Sequence, residues 1–150
     1  MNKQSPSPKS TDLAALAGEL RMSVGKLARR AREHSHAGDF TSAQKSVLFH
    51  LDRGGPATVS ALARADGVKP QSMRMTVAGL EALGVVKGEA DPSDGRKTLI
   101  ALAPTFRRTL QASRAAKEDW LLRALQAQLS AQEQAALAAA VGLLQRLADF

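Results

Sequence analysis

The amino-acid sequence predicts a mainly α-helical fold that contains one small β-hairpin. Three observations support this fold class. Apolar residues recur at helical spacing along most of the chain, capping residues precede several of these stretches, and β-prone residues flank one turn-rich segment. The other elements are arranged around the segment from Thr58 to Leu102, where two short helices precede the hairpin.

The N-terminal end predicts a disordered tail and then one long helix. Residues 1–10 are polar and contain two prolines, which is typical of a disordered terminus. From about Asp12 to Arg32, leucine, valine and alanine residues repeat at helical spacing and form one apolar stripe. The cations crowded at the end of this helix either contact phosphates or form a solvated face. They are Lys26, Arg29, Arg30 and Arg32.

A second helix is predicted to begin after Thr41, because Thr41 and Gln44 have the spacing of a capping box. Its inward residues are expected to be Val47, Leu48 and Leu51, and a Gly-Gly-Pro sequence ends it.

Two short helices joined by a tight turn come next. Thr58 can cap the first, Gly67 ends it, and Pro70 fits the first turn of the second, where a missing N–H costs nothing. This is a helix-turn-helix pattern, in which the second helix enters a DNA major groove.

The second helix of this pair has two different sides at ~100° per residue. The side expected to be buried carries Met73, Thr76, Val77, Leu80 and Leu83. The opposite side carries Gln71, Arg74, Met75 and Ala78. Gln and Arg side chains can pair with adenine and guanine edges, and Met can contact a thymine methyl. The alternative is that Gln71 and Arg74 only solvate a surface helix.

A hairpin follows Gly84, with strands predicted at Val85–Glu89 and Thr98–Leu102. Such a hairpin beside a helix-turn-helix makes a winged helix. Arg96 at its tip suits a narrow A·T minor groove, where the negative potential is enhanced. Alternatively, Arg96 forms a local ion pair with Asp94 that stiffens the loop, and both roles can hold together.

Two further helices complete the predicted fold. Pro104 and Thr105 begin a long helix to about Leu129, and Ser130 with Glu133 has the spacing of a second capping box. These helices and the first one carry more apolar surface than a small lobe can cover, which usually marks a partner interface. The alternative is a monomeric bundle.

Four motifs occur in order along the central segment. They are Leu62-Ala63, Gln71-Ser72-Met73, Leu80-Glu81-Ala82-Leu83-Gly84-Val85-Val86 and Asp91-Pro92-Ser93-Asp94-Gly95-Arg96-Lys97. Together they resemble the MarR family of winged-helix transcription regulators, in detail from about Phe40 to Thr105. The sequence departs from the family pattern at Met75, where many relatives have arginine, and near Glu89, where they carry a basic residue.

The resemblance implies a homodimeric, DNA-binding regulator, in most cases a repressor, that small aromatic or phenolic ligands release from DNA. Base contacts are expected from Gln71, Arg74, Met75 and Arg96. Backbone contacts are expected from Thr58, Ser60, Lys69, Ser72 and Lys97, with Asp94 supporting the wing. The dimer interface is expected to include Leu13, Leu16, Leu20, Trp120, Leu137, Val141 and Leu144.

The expected organisation is one domain over residues 11–150. Residues 11–37 and 105–150 would supply dimerisation helices, and residues 41–103 the DNA-binding lobe. Because a two-fold dimer presents two reading helices, it should bind a near-palindrome with half-sites centred about one helical turn (~34 Å) apart.

Composition narrows the function classes. The chain has no cysteine, which excludes disulfide scaffolds and thiol switches. A net charge of +7 suits nucleic acid, although the segment from Pro56 to Ala103 has six lysines and arginines against five carboxylates. No signal peptide or membrane span is evident, so a soluble cytoplasmic protein is expected.

Catalytic and metal-binding motifs are not evident. The spacing of His34, His36 and His50 does not favour a zinc site, which generally takes three or four ligands in a tetrahedral array. The roles of these histidines and of Trp120 stay open. No cofactor and no enzyme activity are expected. The competing function is a winged helix used only for protein interaction or dimerisation, without DNA binding.

Overall fold

The computed structural model describes residues 11–150, and the predicted disorder of residues 1–10 lies outside that range. Within it, the helices are α1 (Leu13–Glu33), α2 (Ser42–Gly54), α3 (Val59–Asp66), α4 (Pro70–Ala82), α5 (Pro104–Gln128) and α6 (Ala131–Ala148). The strands are β1 (Val86–Ala90) and β2 (Thr98–Leu102). The predicted mainly α-helical fold with a two-stranded wing is confirmed.

The chain divides into two units. The winged-helix unit is His36–Ala116, and the helical unit combines the segment that ends at Ser35 with Lys117–Phe150. α5 begins in the winged-helix unit and ends in the helical unit.

The winged-helix unit is built around one apolar core. α2 buries the three residues predicted from its spacing, α4 adds one side of its surface, and the two strands and the start of α5 close the core. Its buried members are Val47, Leu48, Leu51, Leu62, Ala63, Met73, Val77, Leu80, Val86, Ile100, Leu102 and Phe106.

Side-chain caps fix where four helices begin. The Asp12 carboxylate accepts the Ala14 and Ala15 N–H groups at the start of α1, and the other three caps are those that the sequence predicts. The Thr41 hydroxyl accepts the Gln44 N–H at 3.2 Å, and the Gln44 side chain accepts the Thr41 N–H at 3.0 Å. Ser130 and Glu133 make the same reciprocal pair at 3.2 and 2.8 Å. Thr58 accepts the Ala61 N–H at 3.1 Å. All three predicted caps are therefore confirmed, and each satisfies backbone donors that the helix itself cannot.

The turn between α3 and α4 depends on Gly67. This residue has φ 64° and ψ 30°, the left-handed conformation that glycine adopts without a Cβ clash. Val68 then donates to the Ala63 carbonyl at 3.0 Å, and Pro70 stands in the first turn of α4. The predicted helix-turn-helix is therefore present.

The end of α4 corrects one sequence-based expectation. Leu83 was expected on the buried side of the helix, but 56% of its surface is exposed. The helix ends at Ala82, and Gly84 with φ 72° turns the chain. Leu83 is the C-cap residue, after which the chain leaves the helix and enters β1, where Val86 is buried instead.

The wing is an antiparallel pair whose register runs from Val86 opposite Leu102 to Ala90 opposite Thr98. β1 begins one residue later than predicted. A third short stretch was not predicted. Here Ala57 exchanges two hydrogen bonds with Ile100, at 3.0 and 2.8 Å. This bridge ties the segment before α3 to the base of the wing.

The helical unit differs, because neither α1 nor α6 contains a buried residue. Its large apolar residues lie exposed on the isolated chain, including Leu13, Leu16, Val24, Leu27, Leu122, Leu137, Val141, Leu143, Leu144 and Leu147. Trp120 is half-buried and stacks on the His34 ring, with 5.3 Å between centroids. None of the helices found in residues 11–150 has the length and hydropathy needed to cross a membrane.

Candidate nucleic-acid interface

α4 is held by one side and exposed on the other. Met73, Val77 and Leu80 are almost fully buried, at 2%, 4% and 0% exposure. Because these positions fix the rotation of the helix, Gln71 and Arg74 are exposed on the opposite side. Met75 lies 72% exposed on this same side. The helix therefore presents two polar side chains and one apolar one to an outside surface.

The two polar side chains on this helix lie within reach of each other. The Arg74 guanidinium donates to the Gln71 side-chain oxygen at 3.4 Å. A long bond between exposed groups contributes little, since water competes for both partners. Both side chains can therefore exchange this bond for contacts to base edges.

The first turn of α4 leaves backbone donors free. Lys69 is the N-cap residue, and no side chain caps this helix. Unpaired N–H groups and the positive end of the helix dipole favour an anion such as a phosphate. Lys69 and Ser72, which the sequence predicts as DNA backbone contacts, are both exposed at this end.

Thr58 and Ser60 lie at the start of α3. The Thr58 oxygen accepts the Ala61 N–H, which leaves the hydroxyl hydrogen available to a second partner. Ser60 is exposed. Capping explains the presence of Thr58 without any DNA contact.

Hydrogen bonds made by Asp91 and Asp94 hold the turn at the tip of the wing. Asp91 and Lys97 are joined by a backbone bond of 3.0 Å, and the Asp94 carboxylate accepts the Arg96 backbone N–H at 3.1 Å. Between Thr11 and Phe150, no ion pair involves the Arg96 guanidinium. The proposed Arg96–Asp94 ion pair is thus not formed. Asp94 holds the backbone of Arg96 and leaves its side chain exposed.

Asp91 is the residue whose ionisation the wing alters most clearly. Hydrogen bonds from the Ser93 backbone N–H (2.9 Å) and then the Ser93 hydroxyl (2.8 Å) lower the pKa of Asp91 from its usual value. Both bonds favour the charged carboxylate, and the nearby Lys97 adds a smaller effect in the same direction. The tip therefore keeps its shape in the ionised state.

The strands of the wing add little free positive charge. Lys87 lies 3.9 Å from the Glu89 carboxylate on the same strand. Lys97, at the tip, is exposed and makes no ion pair within the described range. The cations that the wing can offer to a partner are therefore Arg96 and Lys97.

Similarity to known proteins agrees with this geometry. The MarR family matches residues 39–97. An uncharacterised HTH-type transcriptional regulator of Mycobacterium bovis is 32% identical over 136 residues, covering 91% of this chain and 94% of that protein. This chain belongs to the MarR family. Its relatives are transcriptional regulators of the helix-turn-helix type, not enzymes.

Solved structures share the MarR fold with this chain. The crystal structure of a Pseudomonas aeruginosa transcriptional regulator protein has a TM-score of 0.78 and 38% identity, and the match covers 94% of this chain and 99% of that one. A mutant S. aureus MepR bound to an oligodeoxyribonucleotide has a TM-score of 0.64 and 20% identity, with 93% and 99% covered. The second match supports the fold alone.

A polar network in this MarR protein was missed by the sequence analysis. Asp66, the last residue of α3, accepts from the Ser46 hydroxyl at 2.7 Å and lies 2.8 Å from the His50 Nε2. The network is partly buried and links α2 to the turn that precedes α4. An Asp at the end of a helix opposes the helix dipole, which is the one sequence signal that could have drawn attention to it.

The open roles of the histidines are now assigned. His50 bonds to Asp66, His34 stacks on Trp120, and His36 lies 3.7 Å from the Asp39 carboxylate. Within residues 11–150, no three potential metal ligands come together.

Proposed function

We propose that this MarR protein is a repressor that binds a near-palindromic operator in duplex DNA as a homodimer. The observation that carries the proposal is the rotation of α4. Three buried side chains, Met73, Val77 and Leu80, hold the helix so that Gln71, Arg74 and Met75 lie on its outer surface. These residue types match base edges and thymine methyls in a major groove.

The wing and the helix ends supply the remaining contacts of the proposal. Arg96 enters the minor groove beside the half-site, aimed by the bond from its backbone to Asp94. Lys69, Ser72 and Lys97 hold phosphates, as do Thr58 and Ser60 at α3. The phosphate contacts set orientation and affinity but carry no sequence information.

Dimerisation is supported by the exposed apolar surface of the helical unit. Leu13, Leu16 and Leu20 lie along α1, and Leu137, Val141 and Leu144 along α6. So many exposed large apolar side chains on two helices are typical of a surface that a partner covers. A two-fold dimer would present two α4 helices to half-sites about one helical turn (~34 Å) apart.

Two variants test the assignment of roles in an electrophoretic mobility-shift titration on the DNA upstream of the gene. Arg74→Ala should lose ~1–3 kcal/mol and relax the preference at one operator position. Lys97→Ala should weaken binding to all sequences alike and reduce the salt slope by about one per contact. An Arg74→Ala protein with full preference at every position would contradict the base-reading role. A wild-type protein with no salt-linked sequence preference would favour the interaction-module alternative.

Repression and its release form the regulatory part of the proposal. A dimer on an operator that overlaps a promoter blocks RNA polymerase, so transcription in vitro from the gene's own promoter should fall as protein is added. A small aromatic acid would release the protein only if it binds the DNA-free form more tightly. Benzoate, a simple probe of this class, should then weaken operator binding and raise the melting temperature of the free protein. Transcription that rises with added protein would contradict repression.

A further inference from the structure

The largest concentration of positive charge in the described chain lies on α1, outside the proposed reading surface. Between Arg21 and Arg32 there are five cations and no carboxylate. They are Arg21, Lys26, Arg29, Arg30 and Arg32, and all five are exposed. Neither the fold nor the proposed base contacts use them.

The position of these cations on the helix separates them from the apolar stripe. At ~100° per residue, the stripe of Leu13, Leu16, Leu20, Val24 and Leu27 occupies one side of α1. Lys26 and Arg29 project from the opposite side. A dimer that covers the stripe would therefore leave Lys26 and Arg29 exposed.

Few of these cations are neutralised within the protein. Arg30 donates to the Glu33 carboxylate at 3.0 Å. The other four, Arg21, Lys26, Arg29 and Arg32, take part in no ion pair in the part of the chain that the structure describes. We call these four residues the α1 basic face.

The segment that carries the helix-turn-helix and the wing, by contrast, has little net charge. From Pro56 to Ala103, six cations face five carboxylates, and Lys87 is paired with Glu89. Nonspecific affinity for a duplex comes from phosphates neutralised by Lys and Arg, and each one adds about −0.9 to the slope of log K against log salt concentration. This segment has unpaired cations of its own, but its carboxylates offset nearly all of their charge, whereas no carboxylate lies between Arg21 and Arg32.

We propose that the α1 basic face binds the phosphate backbone of the bound duplex and supplies a large, sequence-independent share of its affinity. This inference rests on the proposed DNA-binding function and extends it to a surface outside the winged helix. Exposed, unpaired guanidinium and ammonium groups with no competing carboxylate complement a polyphosphate.

An anionic lipid surface is the other polyanion that a basic helix can meet, but the arrangement on α1 fits it less well. An interfacial helix buries its apolar side in the bilayer and extends its cations toward the headgroups at the boundary. On α1, Lys26 and Arg29 would point away from a bilayer that the apolar stripe had entered. Charge and placement therefore favour the duplex.

The test compares two doubly substituted proteins with the wild type. Lys26→Gln with Arg29→Gln removes two charges of the α1 basic face, and Arg123→Gln with Arg146→Gln removes two exposed charges from α5 and α6. Glutamine keeps the helix propensity of the residues it replaces. Circular dichroism, thermal melting and sedimentation velocity establish that both variants keep the fold and assembly state of the wild type.

Affinity is measured over a range of salt concentrations on a long duplex containing the operator and on a shuffled duplex of the same length. A dimer of the α1 variant lacks four cations, so its salt slope should flatten by about 2–4. The variant should lose affinity for both duplexes by the same factor. The ratio of its affinities for the operator duplex and the shuffled duplex should therefore stay at the wild-type value. The α5–α6 variant should keep the wild-type slope.

The outcomes separate this inference from the proposed function. An α1 variant whose slope equals that of the wild type or of the α5–α6 variant would overturn the assignment, even if the wild type prefers its operator. A wild type that binds both duplexes equally would contradict the proposed operator, while the slope would still decide the role of α1. If the α1 variant keeps the DNA slope but loses sedimentation with phosphatidylserine-containing vesicles, the face belongs to a membrane surface and the inference is wrong.

Discussion

The winged-helix unit and the helical unit differ in how far they bury their apolar side chains. In the winged-helix unit, α2, α3, α4, the wing and the start of α5 share one core, with Val47 and Leu80 fully buried. In the helical unit, α1 and α6 bury nothing completely, and Leu13 and Leu147 are 73% and 61% exposed.

This difference indicates that the two units are stabilised by different means. Burial of apolar surface is the main favourable contribution to folding, and the winged-helix unit obtains it within one chain. The helical unit leaves large apolar side chains exposed, and a second chain can cover them. Substitutions in the first unit should therefore act on folding, and substitutions in the second on association.

The largest expected effect is on the core of the winged-helix unit. Leu80→Ala removes a fully buried side chain and should lower the free energy of unfolding by about 2–5 kcal/mol, from lost transfer energy and the cavity left behind. Denaturant unfolding followed by circular dichroism measures it.

Leu83→Ala is the matched control for this experiment, because Leu83 lies three residues further on and is 56% exposed. It should change the free energy of unfolding by at most about 0.5 kcal/mol. Equal losses for the two variants would mean that the burial assigned to α4 is wrong.

The second effect belongs to the helical unit. Leu144→Glu places a charge in the apolar stripe of α6, and a two-fold interface would contain it twice. The dimer dissociation constant should rise by about 100-fold or more, equivalent to roughly 3 kcal/mol. Sedimentation velocity across a dilution series measures it.

Ala139→Glu adds the same charge on the opposite side of α6 and should leave association unchanged. If Leu144→Glu stayed as associated as Ala139→Glu, the stripe on α6 would not be the interface. A monomeric wild type would contradict the comparison between the units altogether.

The accuracy of the sequence-based predictions depended on how far apart the interacting residues lie. Caps join residues within four positions, so Thr41, Thr58 and Ser130 could be identified from spacing alone. The Ser46–Asp66 bond and the Ala57–Ile100 bridge join residues 20 or more positions apart. No local pattern predicts such pairs, because the fold of the whole unit brings them together.

One error in the predictions, and the outcome of one alternative, had local causes. Leu83 was assigned to the core because helical spacing was extended one residue past the end of α4. Asp94 was considered as an ion-pair partner of Arg96, whereas its carboxylate bonds to the Arg96 backbone. Residue type indicated a contact between the two positions but not which atoms make it.

The third effect concerns the missed network. Asp66→Ala would leave the Ser46 hydroxyl and the His50 ring without their partly buried acceptor, which costs about 1–3 kcal/mol. Removing a negative charge from the end of α3 raises the free energy of unfolding by ~0.3–1 kcal/mol, because that charge is unfavourable at the negative end of the helix dipole. The net result should be a loss of about 1 kcal/mol in thermal or denaturant unfolding.

Asp66→Asn keeps an acceptor oxygen for Ser46 and should lose less stability than Asp66→Ala. If both variants matched the wild type, the network would contribute nothing to holding α3 against α2.

The smallest effect is at the tip of the wing. Because the pKa of Asp91 is lowered in the folded protein, its stabilising contribution is present above the usual carboxyl pKa and is lost as the pH falls through the lowered value. Ser93→Ala removes the hydroxyl bond, which is one of the hydrogen bonds that lower this pKa. The Asp91 titration midpoint, measured by carboxyl NMR, should therefore rise in Ser93→Ala and stay unchanged in Ser60→Ala. An unchanged midpoint in Ser93→Ala would exclude the hydroxyl as a cause.

The central claim is that two copies of this chain, joined by the helical unit, place two α4 helices on one duplex. Sedimentation equilibrium of the protein with a fluorescent operator duplex tests it most directly, since it gives the mass of the complex. Two chains per duplex are expected at saturation, with no complex of one chain at low occupancy. A saturated complex of one chain per duplex would contradict it.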